Sequence, residues 1–249
     1  MISGLVRLRS LLAMACLLTA AGLQSVHAMT VSPIHVEMAA LGTSSHTTVT
    51  VTNNSAAPMP VETLIEKLSL DETGRRKTSK ADDNFLVFPP QAIIPAGGAQ
   101  VFRLQWVGAP DLAKSESYLL SVEQVPVRLP KGSGKVQMVM NFGVVINVAS
   151  AQGAPELNLV STSIVTDKQG KRHPVILVAN PSNVHALLPQ SQLSIEGAGW
   201  SHVFSKGEMD EKIGIGLVQP GHRRKFILPV DLPASVTAVE ARLDLKPRH

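Results

Sequence analysis

The chain has 249 residues, of which 44% are hydrophobic and 17% are charged, with 23 Lys and Arg against 19 Asp and Glu. This length suffices for two domains of about 100 residues, each with its own buried core. The basic residues do not cluster with aromatic residues, which argues against nucleic-acid binding.

The first 28 residues are typical of a secretory signal peptide. Arg7 and Arg9 precede an apolar run at 11–23, and cleavage is predicted between Ala28 and Met29. The run is too short to span a bilayer, so we predict export without stable membrane insertion. The single cysteine lies within this run, and apolar residues continue past it, which argues against lipidation. The exported protein is therefore predicted to have no disulfide.

The sequence after residue 28 predicts a series of short strands separated by turn residues. In the first half the predicted strands lie at 30–38, 47–53, 60–70, 85–88, 99–107, 117–127 and 136–148. The segment 71–84 is predicted to be a charged loop, and 93–98 is predicted to be a turn. Helical periodicity over ten or more residues is absent after the signal peptide.

The predicted strand 136–148 carries more apolar surface than a typical strand. Because side chains alternate along a strand, one face holds Val136, Met138, Met140, Phe142, Val144, Ile146 and Val148. Its length is about twice the usual length of a strand. Such a strand is a central core strand, an aggregation-prone edge, or a strand whose surplus apolar face serves the core of another protein.

The second half repeats the pattern after a small, polar segment at 149–155 that we predict to be a linker. The predicted strands there are 156–166, 175–180, 192–195, 213–217, 224–230 and 238–245. Strands at a spacing of about 8–12 residues are typical of β-sandwiches. We therefore predict an all-β fold with two immunoglobulin-like sandwich domains, at 29–150 and 155–249.

Several segments, taken in this order, resemble the periplasmic pilus-assembly chaperones of the chaperone–usher pathway, the PapD-like family. They are VSPIHVEM at 31–38, FLVFPPQAIIPAGGAQVFRL at 85–104, ESYLLSVEQVPV at 116–127, the strand at 136–148, LVANPSNVHALL at 177–188 and LVQPGHRRKFILPV at 217–230. The resemblance implies two immunoglobulin-like domains in an L or boomerang arrangement with a cleft between them. It also implies a periplasmic chaperone that binds incomplete pilus subunits and delivers them to an outer-membrane usher.

The resemblance assigns the strand at 136–148 to donor-strand complementation, in which the chaperone inserts a strand into an incomplete subunit. Val136, Met138, Met140 and Phe142 are then expected to enter the groove of the subunit. The remaining apolar residues of this face are expected to pack in their own domain. Methionine adapts to irregular cavities, which suits a donor that serves several subunits. The alternative, a strand that serves only its own core, stays open.

Family members hold the C-terminal carboxylate of the subunit with an arginine on the first strand and a lysine on the last strand of domain one. The matching positions here are His35 and Val145, and neither residue is a permanent cation. The candidates for this carboxylate anchor are therefore His35 and Arg128. The alternatives are a half-buried strand histidine at His35 and a solvated loop charge at Arg128.

The resemblance also implies a salt bridge between the two domains. Arg103, Glu116 and Asp244 occupy the matching positions. Such a bridge would set the angle between the domains more than it would add stability, because buried ion pairs often only break even. The alternative is three unconnected surface charges.

Other classes of function have little support in the sequence. There is no HExxH zinc motif, no glycine-rich phosphate loop and no GxSxG motif, so we predict neither enzymatic activity nor a metal or other cofactor. The serious alternative is an exported two-domain immunoglobulin-like adhesin or ligand-binding module. The low aromatic content of 4% argues against sugar binding by stacking, and an exported hydrolase comes third.

Overall fold

A computed structural model describes residues 29–81, 83–126 and 139–245 of the chain. The predicted signal peptide with Ala28, the predicted anchor Arg128, and the predicted donor residues Val136 and Met138 lie outside the described residues. Met29, on the other side of the predicted cleavage site, is the first residue of β1.

The described residues form eighteen strands and a few short helical turns. The strands of the first half are β1 Met29–Ser32, β2 His35–Ala39, β3 His46–Asn53, β4 Met59–Leu70, β5 Arg76–Lys80, β6 Phe85–Phe88, β7 Gln91–Ile94, β8 Ala99–Trp106, β9 Glu116–Gln124 and β10 Asn141–Ala149. Those of the second half are β11 Asn158–Thr166, β12 Arg172–Ala179, β13 Ala186–Leu187, β14 Ser191–Gly197, β15 Trp200–Phe204, β16 Leu217–Val218, β17 Arg223–Ile227 and β18 Glu240–Leu245. The helical segments are Thr43–Ser45, Leu188–Gln190, Lys206–Glu208 and Met209–Ile213.

The strands of the first half form two sheets that enclose one core. Sheet I has the order β1-β3-β8-β6, and sheet II has the order β2-β10-β9-β4-β5, with β7 pairing to β4. The predicted strand 30–38 divides between the sheets, because β1 pairs with β3 whereas β2 runs parallel to β10. Pro33, which lacks an N–H to donate, lies at the division.

The segment 71–84 differs from its prediction as a loop, because it contains β5. All five residues of β5 are exposed, so no apolar alternation marks it as a strand, and it forms by pairing with the last five residues of β4. The predicted turn at 93–98 likewise starts within β7, which pairs with the opposite end of β4. The length of β4 decides both cases, because its edge offers main-chain partners to two short strands.

Strand β10 is shorter than its prediction. It begins at Asn141, and residues 139 and 140 precede it outside the strand, although Met140 O still accepts a hydrogen bond from Gln124 N at 2.9 Å. Val144, Ile146 and Val148 are fully buried, as predicted for the part of the strand that packs in its own domain. They join the core of the first half with residues of both sheets, including Phe102 and Tyr118.

The second half forms a separate core between two three-stranded sheets. Their orders are β11-β12-β17 and β15-β14-β18, with a short β13-β16 pair beside them. The predicted strand 213–217 is wrong, because Ile213 ends a π-helix and β16 starts only at Leu217. The helical segment starts at a capping box in which Ser205 and Glu208 exchange hydrogen bonds, a local signal that the strand prediction overlooked.

The fold confirms the predicted all-β class with two immunoglobulin-like domains. Domain one, the sandwich of sheets I and II, contacts domain two through the β4–β5 hairpin. The side-chain amide of Gln219 donates to Leu68 O and accepts from Leu70 N, each at 2.8 Å, so it continues the ladder of β4. Next to it, Lys225 N donates to Glu72 O at 2.7 Å. Domain two therefore binds the tip of the hairpin mainly through main-chain groups of the hairpin.

Candidate functional site

Strand β10 is paired along its whole length on one side but only in its second half on the other. Residues 141–148 pair with β9. The parallel pairing with β2 begins only at Val145, opposite His35, because β2 itself starts there. Within the described part of the chain, residues 141–144 thus have no strand partner on the β2 side. An edge of this kind can add a strand from another chain.

Two of the predicted donor residues, Met140 and Phe142, lie at this edge. Both are half-buried and pack against the core of domain one. Val139 and Ile34, by contrast, are exposed by 51% and 60% of their surface, although both are large and apolar. The edge therefore combines unpaired main chain with apolar side chains that are incompletely covered.

The predicted anchor His35 lies opposite Val145 in the parallel ladder, so the sequence matching of these two positions agrees with the pairing register. The ring of His35 is not directed at an open site, however. Its Nε2 is 2.8 Å from Oε1 of Glu37 and 3.0 Å from Nδ2 of Asn147. A carboxylate of the chain itself thus already lies against the histidine.

Glu37 is the centre of a polar cluster that joins the two domains. Its Oε1 accepts from Asn147 Nδ2 at 2.9 Å, and its Oε2 lies 2.7 Å from Nε2 of His185 in domain two. His185 is fully buried, and the carbonyl of Asn147 accepts from Ser117 at 2.8 Å. The cluster therefore connects β2, β9 and β10 of domain one with domain two.

The charge of Glu37 is stabilised within this cluster. Burial alone would raise the pKa of Glu37, but the hydrogen bonds from His185 and His35, the charge of His185 and the bond from Asn147 outweigh it. They hold the pKa of Glu37 well below its usual value of 4.5. Glu37 is therefore ionised at neutral pH, and its charge faces both histidines.

Sequence reasoning also missed Arg76 on β5. Its guanidinium lies against Gly143 of β10, such that a methyl group placed on Gly143 would be 3.5 Å from Nη1 of Arg76 and 2.9 Å from Cδ1 of Leu119. Arg76 was overlooked because the segment 71–84 carries many charges and no strand pattern. Glu37 and Asn147 do have a local signal, since each lies two residues from a predicted anchor position on the same strand face.

Comparison with known proteins identifies the family. Residues 28–148 match the family described as pili and flagellar-assembly chaperone, PapD N-terminal domain. The first domain belongs to this family. The resemblance seen in the sequence is thereby confirmed for this domain, and no curated protein sequence matches the chain.

Solved structures share the PapD-like architecture over nearly the whole chain. The class 5 fimbriae chaperone CfaA is 17% identical, with a TM-score of 0.50 over 88% of this chain and 92% of that one. The CsuC–CsuE chaperone and tip-subunit complex of Acinetobacter baumannii has a chain with 19% identity and a TM-score of 0.50, covering 86% and 97%. The complex of Salmonella enterica SafA pilin with the SafB chaperone has one with 14% identity and 0.51, covering 90% and 99%. At these identities the likeness shows the fold.

The predicted salt bridge between the domains is absent from the described part of this PapD-like chain. Glu116 instead binds Lys67 Nζ at 2.6 Å and accepts from the hydroxyl of Tyr118. Arg103 lies in sheet I, whereas Glu116 lies in sheet II, and Asp244 pairs along β18 with β14. The three residues belong to three different sheets, and Glu37 with His185 provides a polar contact between the domains.

Two kinds of functional feature are absent from residues 29–81, 83–126 and 139–245. No set of three or more His, Cys, Asp or Glu residues is arranged to hold a metal ion there. Over the same ranges, none of the helices has the length and apolar composition needed to cross a bilayer.

Proposed function

We propose that the protein is a periplasmic chaperone that binds incomplete immunoglobulin-like pilus subunits by donor-strand complementation. The observation that carries this proposal is the one-sided pairing of residues 141–144 of β10 in a PapD-like domain. An incomplete subunit lacks one strand, and the open edge of β10 can complete it. Solved complexes with a PapD-like chain contain a pilin or a tip subunit, which supports the same role.

The main chain of the edge supplies affinity that does not depend on the sequence of the subunit, because strand addition uses N–H and C=O groups. Met140 and Phe142, with Val136 and Met138 before them, fill alternate pockets in the groove of the subunit. Val144 and the following core residues keep the strand attached to its own domain. The first part of the segment thus packs in the core of the subunit, and the second part packs in the core of domain one.

Delivery to an outer-membrane usher and release of the subunit complete the proposed cycle. Release occurs when the N-terminal extension of an incoming subunit replaces the donor strand. The sequence has no nucleotide-binding motif, so the driving force is the better packing of the final fibre. The predicted signal peptide, with cleavage between Ala28 and Met29, supports export of the mature chain to the periplasm for this cycle.

We keep His35 and Arg128 as the proposed anchors for the carboxylate of the subunit, with His35 the less favourable of the two. His35 is adjacent to the open edge, but the carboxylate of Glu37 already occupies its Nε2 side. Binding a second carboxylate at His35 would bring two negative charges together, which is unfavourable. Arg128 remains the other candidate.

The test is co-expression with a candidate pilus subunit from the same organism, with Met140→Asp as the variant. We expect subunit accumulation in the periplasm to fall at least about tenfold, because a buried charge without a partner costs several kcal/mol. The matched control is Val139→Asp, which places the same charge on an exposed neighbour.

Thermal unfolding of both variants separates loss of binding from loss of folding, because Met140 also contacts its own core. Unchanged accumulation with a folded Met140→Asp chaperone would contradict the assignment of the donor segment. Binding of a surface ligand in the absence of any subunit complex would favour the alternative of an adhesin or ligand-binding module.

A further inference from the structure

The β4–β5 hairpin, which lies on the opposite side of β10 from β2 in sheet II, brings a cation over the face of β10. Arg76 is the first residue of β5, immediately after the turn of the hairpin. Its guanidinium lies beside Gly143, one of the four β10 residues that pair on one side only. A strand added to this edge would place alternate side chains on the face of sheet II over which the guanidinium lies.

The absence of a side chain at position 143 leaves room for Leu119 beside this contact, whereas Arg76 itself would lie 3.5 Å from a Cβ there. Any Cβ there would lie within 2.9 Å of Leu119 Cδ1, which is closer than side-chain carbons approach in proteins. Gly143 therefore leaves the outer face of sheet II open at the point where Arg76 reaches it. Leu119 forms the apolar wall on the other side of this gap.

The Arg76 side chain is exposed, and in the described part of the chain it makes no hydrogen bond or ion pair. Some other long cations are paired within the chain: Lys67 binds Glu116, Lys171 binds Asp231, and Arg224 donates to Leu217 O. A guanidinium offers five N–H donors in a planar fork, a geometry that matches a carboxylate in a bidentate pair.

Domain two holds the hairpin in place. Besides the contacts of Gln219 with β4, the Arg224 side chain packs against Gly74 in the turn, where a Cβ would be 2.7 Å from its Nη2. Gly74 has φ of 86°, a backbone conformation that favours glycine. His222 Nδ1 is 3.3 Å from Leu70 O. The position of Arg76 therefore depends on how domain two binds the turn.

We propose that Arg76 binds a carboxylate of the partner strand at the open edge of β10, and that domain two positions it through the β4–β5 hairpin. This inference rests on the proposed function, since the carboxylate belongs to the bound subunit. The carboxylate is either the C-terminus of the subunit or an acidic side chain on its edge strand. In both cases Arg76 adds a charge-assisted contact that the main chain of the edge cannot supply.

The experiment measures the dissociation constant of the mature chaperone for a synthetic peptide of the last strand of a candidate pilus subunit from the same organism, and for the intact subunit. Arg76→Gln is expected to weaken both by about 10- to 100-fold, the usual effect of losing a hydrogen bond to a charged group. The matched control is Lys77→Gln, which removes the same charge from the opposite face of β5 and is expected to bind as wild type.

A second peptide with a C-terminal amide identifies the source of the carboxylate. If the terminus is the ligand, the amide weakens wild type as much as Arg76→Gln does, and the two changes together add nothing further. If an acidic side chain is the ligand, the amide has no effect, and replacing that residue by its amide reproduces the loss. Either result supports the proposal.

Equal binding by wild type and Arg76→Gln would overturn the role of Arg76 and leave the proposed function intact. Absence of binding by the wild-type chaperone to the intact subunit would overturn both. The two failures are therefore distinguishable in one set of measurements.

Discussion

Glu37 joins the two domains through a single carboxylate. One oxygen contacts fully buried His185 of domain two, and the other contacts His35 and Asn147 of domain one. Replacing Glu37 with Gln keeps the size but removes the charge, so these groups lose their acceptor for charge-assisted bonds. We expect the free energy of unfolding to fall by about 1–3 kcal/mol, measured by urea denaturation.

The matched control is Glu62→Gln, which changes an exposed glutamate on β4 in the same domain. We expect its free energy of unfolding to remain within about 0.5 kcal/mol of wild type. If Glu37→Gln were as stable as this control, Glu37 would be an ordinary surface carboxylate and the domains would be joined by other contacts.

The outer end of the β4–β5 hairpin is hydrogen-bonded to domain two. The amide of Leu70 donates to the side chain of Gln219 rather than to a strand of its own domain. In Gln219→Ala this amide loses its acceptor, so we expect faster hydrogen exchange at Leu70, measured by NMR. Gln192→Ala removes an exposed glutamine of β14 and should leave the exchange of Leu70 unchanged. Equal exchange in both variants would show that the hairpin does not need Gln219.

Elements with a local signal were predictable, and those defined by a partner were not. Strands β3 and β8 lie within one residue of their predicted ranges, because apolar and polar residues alternate along them. Strand β6 matches its predicted range as a short apolar run that ends before Pro89 and Pro90. Strand β5 has no buried residue and exists because β4 offers it an edge. The start of β10 at Asn141 was likewise unpredictable, since the alternation of apolar residues extends further towards 136 than the strand does.

Acid is expected to destabilise the whole molecule partly through Glu37. Because its pKa is lowered in the folded protein, the unfolded chain binds more protons below its ordinary pKa of about 4.5. The contribution of Glu37 is therefore fully present above this pH and is lost as pH falls below it. We expect the difference in unfolding free energy between wild type and Glu37→Gln to shrink below pH 4.5, measured by denaturation at several pH values. A difference independent of pH would contradict this.

The sequence by itself determined that the chain is all-β, has two immunoglobulin-like domains and is PapD-like. It also determined that Val144, Ile146 and Val148 form a core face, since alternation is a local property of an extended backbone. Only the tertiary structure decided that β10 is open over 141–144, that Glu37 meets His185, and that Arg76 lies against Gly143. Each of these depends on strand register or on the contact between domains, which bring together residues far apart in the chain and leave no periodic trace in it.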